Sequence, residues 1–203
     1  MELIPENNIV RLVGTAAGRP TLSHESRGET FYRLPLTVQR LSGAEDEIPL
    51  LLRRRQLEAL ELQEADKLRV SGELRSFNNR SGEGARLVIT VFARTLAFCG
   101  EPDENFTQLR GALCKPPKLR RTPMGRDICD LMLAVNRPYG RSDYLPCICW
   151  GPMAREAAAW EVGARVQLAG RVQSRPYIKM TEDGPLEKVA YEVSAAEIER
   201  LEP

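Results

Sequence analysis

Residues 110–179 concentrate two kinds of side chain. Thirteen Lys and Arg stand there against five Asp and Glu, whereas residues 182–202 hold seven acids and two bases. Aromatic rings punctuate the basic stretch: Tyr139, Tyr144, Trp150 and Tyr177, with Arg121, Arg137, Arg171, Arg175 and Lys179 around them. Cationic groups attract phosphates, and aromatic faces accept the flat faces of bases. The segment DLMLAVNRPYG, residues 130–140, shows the pattern at short range. A strand needs only Pro and Gly to turn. Arg137 and Tyr139 are additional, and they are residue types that grip a ligand. The formal net charge of the chain is only +1, so any binding face must come from local concentration of charge. A salt-bridged surface whose signs cancel in three dimensions is the competing reading.

Other chemistries find less support. The sole histidine is His24, read as a solvated residue in the loop before Phe31. No Ser-His-Asp set, HExxH or phosphate-cradling Gly-rich loop occurs, so an enzyme is not expected. The five cysteines, Cys99, Cys114, Cys129, Cys147 and Cys149, contain no CxxC pair. Cys147 and Cys149 fall two apart on an expected strand and so share one face; buried reduced thiols are expected there rather than half a metal site. Neither metal nor cofactor is expected. No apolar run approaches the roughly 20 residues of a membrane helix, and MELIPENN lacks the pattern of a signal peptide. A cytoplasmic protein without a membrane segment is the expectation.

The chain also repeats itself. Displaced by 97 residues, Asn8, Leu12 and Gly14 fall on Asn105, Leu109 and Gly111. Pro20, Leu22 and Gly28 fall on Pro117, Leu119 and Gly125. Leu34, Leu36, Val38 and Arg40 meet Leu131, Leu133, Val135 and Arg137, and Gly43, Asp46 and Pro49 meet Gly140, Asp143 and Pro146. After a one-residue gap, Ser71 and Gly72 meet Ala169 and Gly170. A period near 100 residues is too long for a solenoid unit and fits two copies of a small domain, residues 1–101 and 102–203.

In the second copy, residues 106–113 read as a first strand, followed by a Pro-Pro loop. Residues 127–135 and 144–150 read as the second and third strands. GPMAREAAAWEVG reads as a helix between Pro152 and Gly163, and Trp160 as a core residue on it. Residues 165–172 and 188–194 read as the fourth and fifth strands, with a turn over 181–184. The first copy repeats the order, with RRRQLEALELQEADK as its helix. The expected class is all-β: two tandem OB-folds, five-stranded Greek-key barrels with one helix between strands 3 and 4.

Over nearly its whole length the second copy resembles the bacterial single-stranded DNA-binding protein family. The resemblance rests on LRGALCKPPKLRRTPMGRDICDLMLAVNR, DYLPCICWG and VGARVQLAGRVQSRPY. It implies sequence-tolerant binding of single-stranded DNA, without cofactor or catalysis, in replication, recombination or repair. Tyr139, Trp150 and Tyr177 fall where the family commonly places stacking aromatics, and Tyr144 where a Trp is common. Trp150 and Tyr144 remain open to a packing role instead. By analogy with two-domain members, a homodimer with four OB folds is implied.

The first copy departs from the pattern. Leu41, Glu47 and Arg53 stand in its Tyr139, Tyr144 and Trp150 regions, while Arg40 persists and Arg75 and Phe77 remain in the hairpin region. It balances fourteen bases with fourteen acids through residue 101. An assembly role for the first copy and DNA gripping by the second are therefore expected. The sequence closes on IERLEP rather than on the family's glycine-rich linker and acidic tail, from which an accessory paralogue is expected. The rival reading is a protein–protein adaptor with OB barrels and weak nucleic-acid affinity. RNA is a further possible ligand.

Overall fold

A computed structural model describes residues 7–79, 87–181 and 184–202, apart from the side chain of Tyr139. The first half contains β1 (Asn8–Ala16), β2 (Thr21–Ser26), β3 (Glu29–Gln39), β4 (Glu45–Arg53), α1 (Arg54–Glu58), β5 (Lys67–Asn78) and β6 (Leu87–Phe98). The second contains β7 (Glu104–Leu113), β8 (Lys118–Arg121), β9 (Asp127–Asn136), β10 (Ser142–Trp150), α2 (Pro152–Ala157), β11 (Arg165–Thr181) and β12 (Gly184–Arg200).

Alternation along the strands decides which face is buried. Leu34, Leu36 and Val38 of β3 point inward, as do their repeat mates Leu131, Leu133 and Val135 of β9. Each half closes into a barrel. In the first, β3 pairs with β4, β4 runs parallel to β6, β6 pairs with β5, β5 with β1, and β1 returns to β3. In the second, β9, β10, β12, β11 and β7 repeat that circuit and β7 returns to β9. These are two tandem OB-folds, as the sequence predicts.

One sheet runs through both barrels because β1 pairs antiparallel with β7. The register is that of a pseudo-two-fold axis. Asn8 faces Leu109, and Leu12 faces Asn105, so each faces the other's repeat mate. Val10 faces its own mate, Thr107. Antiparallel pairing of two copies of one strand makes this self-complementary contact. The asparagines serve each barrel alike. Asn8 exchanges two hydrogen bonds with the backbone of Leu74, at 2.8 and 2.9 Å, and Asn105 does so with Val172, at 2.7 and 3.0 Å.

Several elements differ from expectation. β2 and β8 form short strands on β3 and β9 where loops are predicted, so His24 lies on a strand. The helices span only Arg54–Glu58 and Pro152–Ala157. In the first connection, the Asp66 carboxylate accepts the Gln63 N–H at 2.7 Å and the Ala65 N–H binds the Ala16 carbonyl at 3.0 Å. Those bonds fold the segment back onto β1 in place of further helical turns. Trp160 is buried as predicted, but beyond the end of α2. β11 and β12 each span 17 residues rather than stopping at the barrel. From Arg175 to Thr181, β11 pairs with β12 alone, so this hairpin projects from the barrel. The expected turn at 181–184 includes residues 182–183, which lie outside the described residues.

Gly72 and Gly170 occupy β-bulges, where the register shifts and the strand bends. A Cβ on Gly170 would lie 2.1 Å from the Ser194 carbonyl oxygen, and one on Gly72 would lie 2.2 Å from that of Phe92. Gly170→Ala is expected to destabilise the fold by about 1–3 kcal/mol through overpacking. Gly100→Ala, which meets nothing within 4 Å, is expected to change stability by less than about 1 kcal/mol. Urea unfolding monitored by circular dichroism measures both.

Candidate nucleic-acid interface

Two of the candidate cations face the seam between the barrels. Asp46 and Asp143 have no exposed side-chain surface. Asp46 accepts bonds from Arg40 Nε at 2.7 Å and Nη2 at 2.6 Å. It also accepts from the Ser174 N–H of the second barrel at 2.8 Å, while Arg40 donates to the Ser174 carbonyl at 3.5 Å. The mates repeat this in reverse. Asp143 pairs with Arg137 through both donors, Nε at 2.5 Å, and accepts the Ser76 N–H of the first barrel at 2.6 Å. Arg137 donates to the Ser76 carbonyl at 3.1 Å, and the Tyr144 N–H donates to Ser76 Oγ at 2.7 Å. The paired Asp46 carboxylate holds the Arg40 guanidinium above its ordinary pKa, against the effect of burial. Arg40 and Arg137, read from sequence as phosphate contacts, therefore form a reciprocal interdomain clasp.

Each clasp arginine also borders a groove. That of the second barrel, about 490 Å³, is lined by Arg40, Arg120, Trp150, Arg171, Arg175 and Glu192, among others. Trp150 is half-buried, and its indole N–H donates to Ser194 Oγ at 3.3 Å, which fixes the ring. Arg120 is bidentate to Asp130 at 2.7 and 3.0 Å. Arg175 lies 3.6 Å from Glu192, which accepts from Gln173 at 2.8 Å. Arg171 is exposed and makes no ion pair among the described residues.

The groove thus brings together four predicted site residues, Arg40, Trp150, Arg171 and Arg175. Arg121 lies elsewhere, on β8, 3.0 Å from Asp127. Arg121 and Arg155 together hold the Asp127 carboxyl below its ordinary pKa. Tyr144 is exposed at the start of β10 and does not line the groove. Tyr177 and Lys179 lie on the projecting hairpin, paired with Lys188 and Leu186. Tyr139 falls in the 3-10 turn Pro138–Gly140, with its side chain outside the described residues.

The first barrel carries the mate of this groove, about 700 Å³ in volume. Among the described residues, Arg33, Arg53, Arg75, Arg94, Arg137 and Arg141 line it without Asp or Glu, although Glu29 pairs with Arg53 at 3.0 Å, and Phe31, Phe77, Phe92 and His24 supply rings. Sequence comparison missed most of this set because the rings do not stand at the mates of the second copy's aromatics. Arg53 is the mate of Trp150, and its ring partner is Phe92 on β6, 4.7 Å from the guanidinium. After the one-residue gap Phe77 on β5 is the mate of Arg175 on β11, so cation and ring have in effect changed strands. The detectable signal was an excess of Arg and Phe over residues 31–33, 53–55 and 75–77 rather than positional identity.

The thiols lie apart from both grooves. Cys147 and Cys149 are buried on β10, and burial raises both pKa values, that of Cys149 to about 12. All five cysteines are unpaired. Among the described residues no group of three or more His, Cys, Asp or Glu could hold a metal ion, and no helix is long and apolar enough to cross a membrane.

Residues 104–201 match the model of the single-strand binding protein family. This second half is thus similar to that family. Single-stranded DNA-binding protein 2 of Listeria innocua is 35% identical over 107 residues, covering 49% of this chain and 65% of the relative. The single-stranded DNA-binding protein of Halalkalibacterium halodurans is 34% identical over 80 residues, covering 36% of this chain and 48% of the relative. The chain thus spans less than two thirds of these curated relatives. Likeness to solved structures extends over both halves. A deletion mutant of the single-stranded DNA binding protein from Thermus aquaticus superposes with a TM-score of 0.77 at 25% identity, covering 97% of this chain and 95% of that one.

Asp143→Asn leaves Arg137 without its buried counter-charge and weakens the bond to Ser76. A loss of about 2–4 kcal/mol in unfolding free energy is expected, with Asp46→Asn similar. Chemical denaturation of each variant measures it.

Proposed function

We propose that the chain binds single-stranded DNA without sequence preference, through the groove of the second barrel, as an accessory protein of replication, recombination or repair. The observation that carries this reading is Trp150, its ring fixed by Ser194 in a groove that the exposed cations Arg171 and Arg175 also line. Stacking on a fixed aromatic tolerates any base, because every base offers a π face. Among the described residues Arg171 has no acidic partner to surrender, so a phosphate would meet it without breaking an ion pair. Tyr177 and Lys179 extend the same polarity along the projecting hairpin, where a strand leaving the groove would pass.

A second reading, a protein–protein adaptor with weak nucleic-acid affinity, draws on the pairing of Arg40, Arg120 and Arg175 with Asp46, Asp130 and Glu192. Those acids offset much of the groove's positive field.

Titration with oligothymidine separates the two. Binding that quenches tryptophan emission and weakens with added salt is expected; absence of binding at low salt supports the adaptor. Trp150→Ala is expected to weaken binding roughly 5- to 150-fold, the equivalent of about 1–3 kcal/mol for a lost stacking contact. Arg171→Ala is expected to lower the log–log salt slope by about 0.7, the value for one phosphate contact on a single strand.

A further inference from the structure

The continuous sheet ends on two short strands, β2 and β8, and their edges differ. β2 breaks register between Leu22 and His24, an irregularity of the kind that blunts an open edge. Around it, residues 19–29 balance Arg19 and Arg27 against Glu25 and Glu29. β8 keeps unbroken register with β9, and all four of its residues are exposed. Residues 115–126 carry the bases Lys115, Lys118, Arg120, Arg121 and Arg126 and no acid. Arg120 and Arg121 pair with Asp130 and Asp127 on β9. Lys115, Lys118 and Arg126 make no ion pair among the described residues. Leu119 and Met124 add exposed apolar surface.

The backbone of β8 is half free. The Gly151 N–H donates to the Asp127 carbonyl at 2.9 Å, on the side of β9 away from β8. Backbone polar groups alternate sides along a strand, so Asp127 and Cys129 turn theirs to β10. Ile128 and Asp130 turn theirs to Arg120 and Lys118, their partners in β8. The Thr122 N–H, donating to the Arg126 carbonyl at 2.8 Å, continues the same phase. Leu119 and Arg121 therefore direct their N–H and C=O groups to the open edge.

We propose that β8 is a docking edge for an extended acidic segment of another protein, which adds to the sheet as a further strand. Strand addition uses main-chain hydrogen bonds for affinity and alternate side chains for specificity. Here the free N–H and C=O groups of Leu119 and Arg121 supply the first, and the surrounding bases with Leu119 supply the second. Basic side chains keep an edge from pairing with a copy of itself; an acidic strand turns the same charges into attraction. A nucleic acid fits less well. Residues 115–126 include no aromatic ring for a base to stack on, and phosphates offer no donor to the free carbonyls. The edge uses neither Trp150 nor Arg171, although Arg120 also lines the groove of the second barrel.

The test uses the full chain and a fluorescein-labelled, capped peptide of about eight residues alternating Glu and Val, an ordinary strand length. A peptide of equal charge with Pro in place of Val is the control, because Pro cannot donate to a ladder. The Glu-Val peptide is expected to bind at least roughly tenfold more tightly than the Glu-Pro peptide. It is also expected to slow amide exchange, followed by NMR, at Leu119 and Arg121. The variant Lys115→Glu/Arg126→Glu, altered only at exposed positions, is expected to weaken binding roughly tenfold through charge reversal. Trp150→Ala/Arg171→Ala is expected to bind the peptide as the wild type does. Equal binding of the two peptides, or unchanged exchange at Leu119 and Arg121 under saturation, overturns strand addition. Loss of the peptide in Trp150→Ala/Arg171→Ala places it in the groove and overturns the edge. No binding of the Glu-Val peptide overturns the proposal as well, and if oligothymidine then slows the same two amides, the edge belongs to nucleic acid.

Discussion

Two aspartates without exposed side-chain surface, Asp46 and Asp143, fix the arrangement of the two barrels. A carboxylate so placed is costly unless its lone pairs are filled. Each is filled by an arginine of its own barrel and by a backbone N–H of the other. The charge is therefore satisfied only while the barrels hold this orientation. Continuity of the sheet through β1 and β7 supplies the second constraint, and both obey one pseudo-two-fold relation. Ser76 and Ser174 are repeat mates, as are Arg40 and Arg137. The interface is one contact made twice, with one addition: Arg75 of the first barrel also donates to Asp143, at 3.0 Å.

This arrangement places the grooves. Each clasp arginine stands at the border of a groove, Arg40 at that of the second barrel and Arg137 at that of the first. The same geometry explains how a chain with a net charge of +1 presents cationic surfaces. Many arginines are committed to buried or neighbouring carboxylates, and these hold side chains in position. A smaller set, Arg33, Arg141 and Arg171, stays exposed without an ion pair among the described residues. Positional order comes from the paired group, and charge without a neighbouring acid among the described residues from the unpaired one.

Much of the scaffold was legible because the repeat registers turn glycines and inward-facing strand positions, which backbone and core packing dictate. The strand alternation of residues 34–38 and 131–135 maps directly onto the two cores. Helix lengths were not legible, since Asp66 and Ala65 end the first one through contacts distant from the apolar pattern. The placement of the candidate site residues was legible in part. Trp150, Arg171 and Arg175 converge, because adjoining strands bring them to one face. The clasp role of Arg40 and Arg137 was not legible, because sequence shows a cation at a strand end but not the buried acid across the turn. The repeat did carry that acid, as Asp46 and Asp143, six residues on from each arginine. Comparison by position also hid the first groove, since an arginine and a phenylalanine there exchange strands.

If Trp150 and the cations beside it hold a single strand, bound DNA must shield the strands that carry them. Amide hydrogen exchange of the full chain, with and without oligothymidine, tests this most directly. Slowed exchange in β10 and β11 of the second barrel is predicted. Unchanged exchange there at saturating oligothymidine would contradict it.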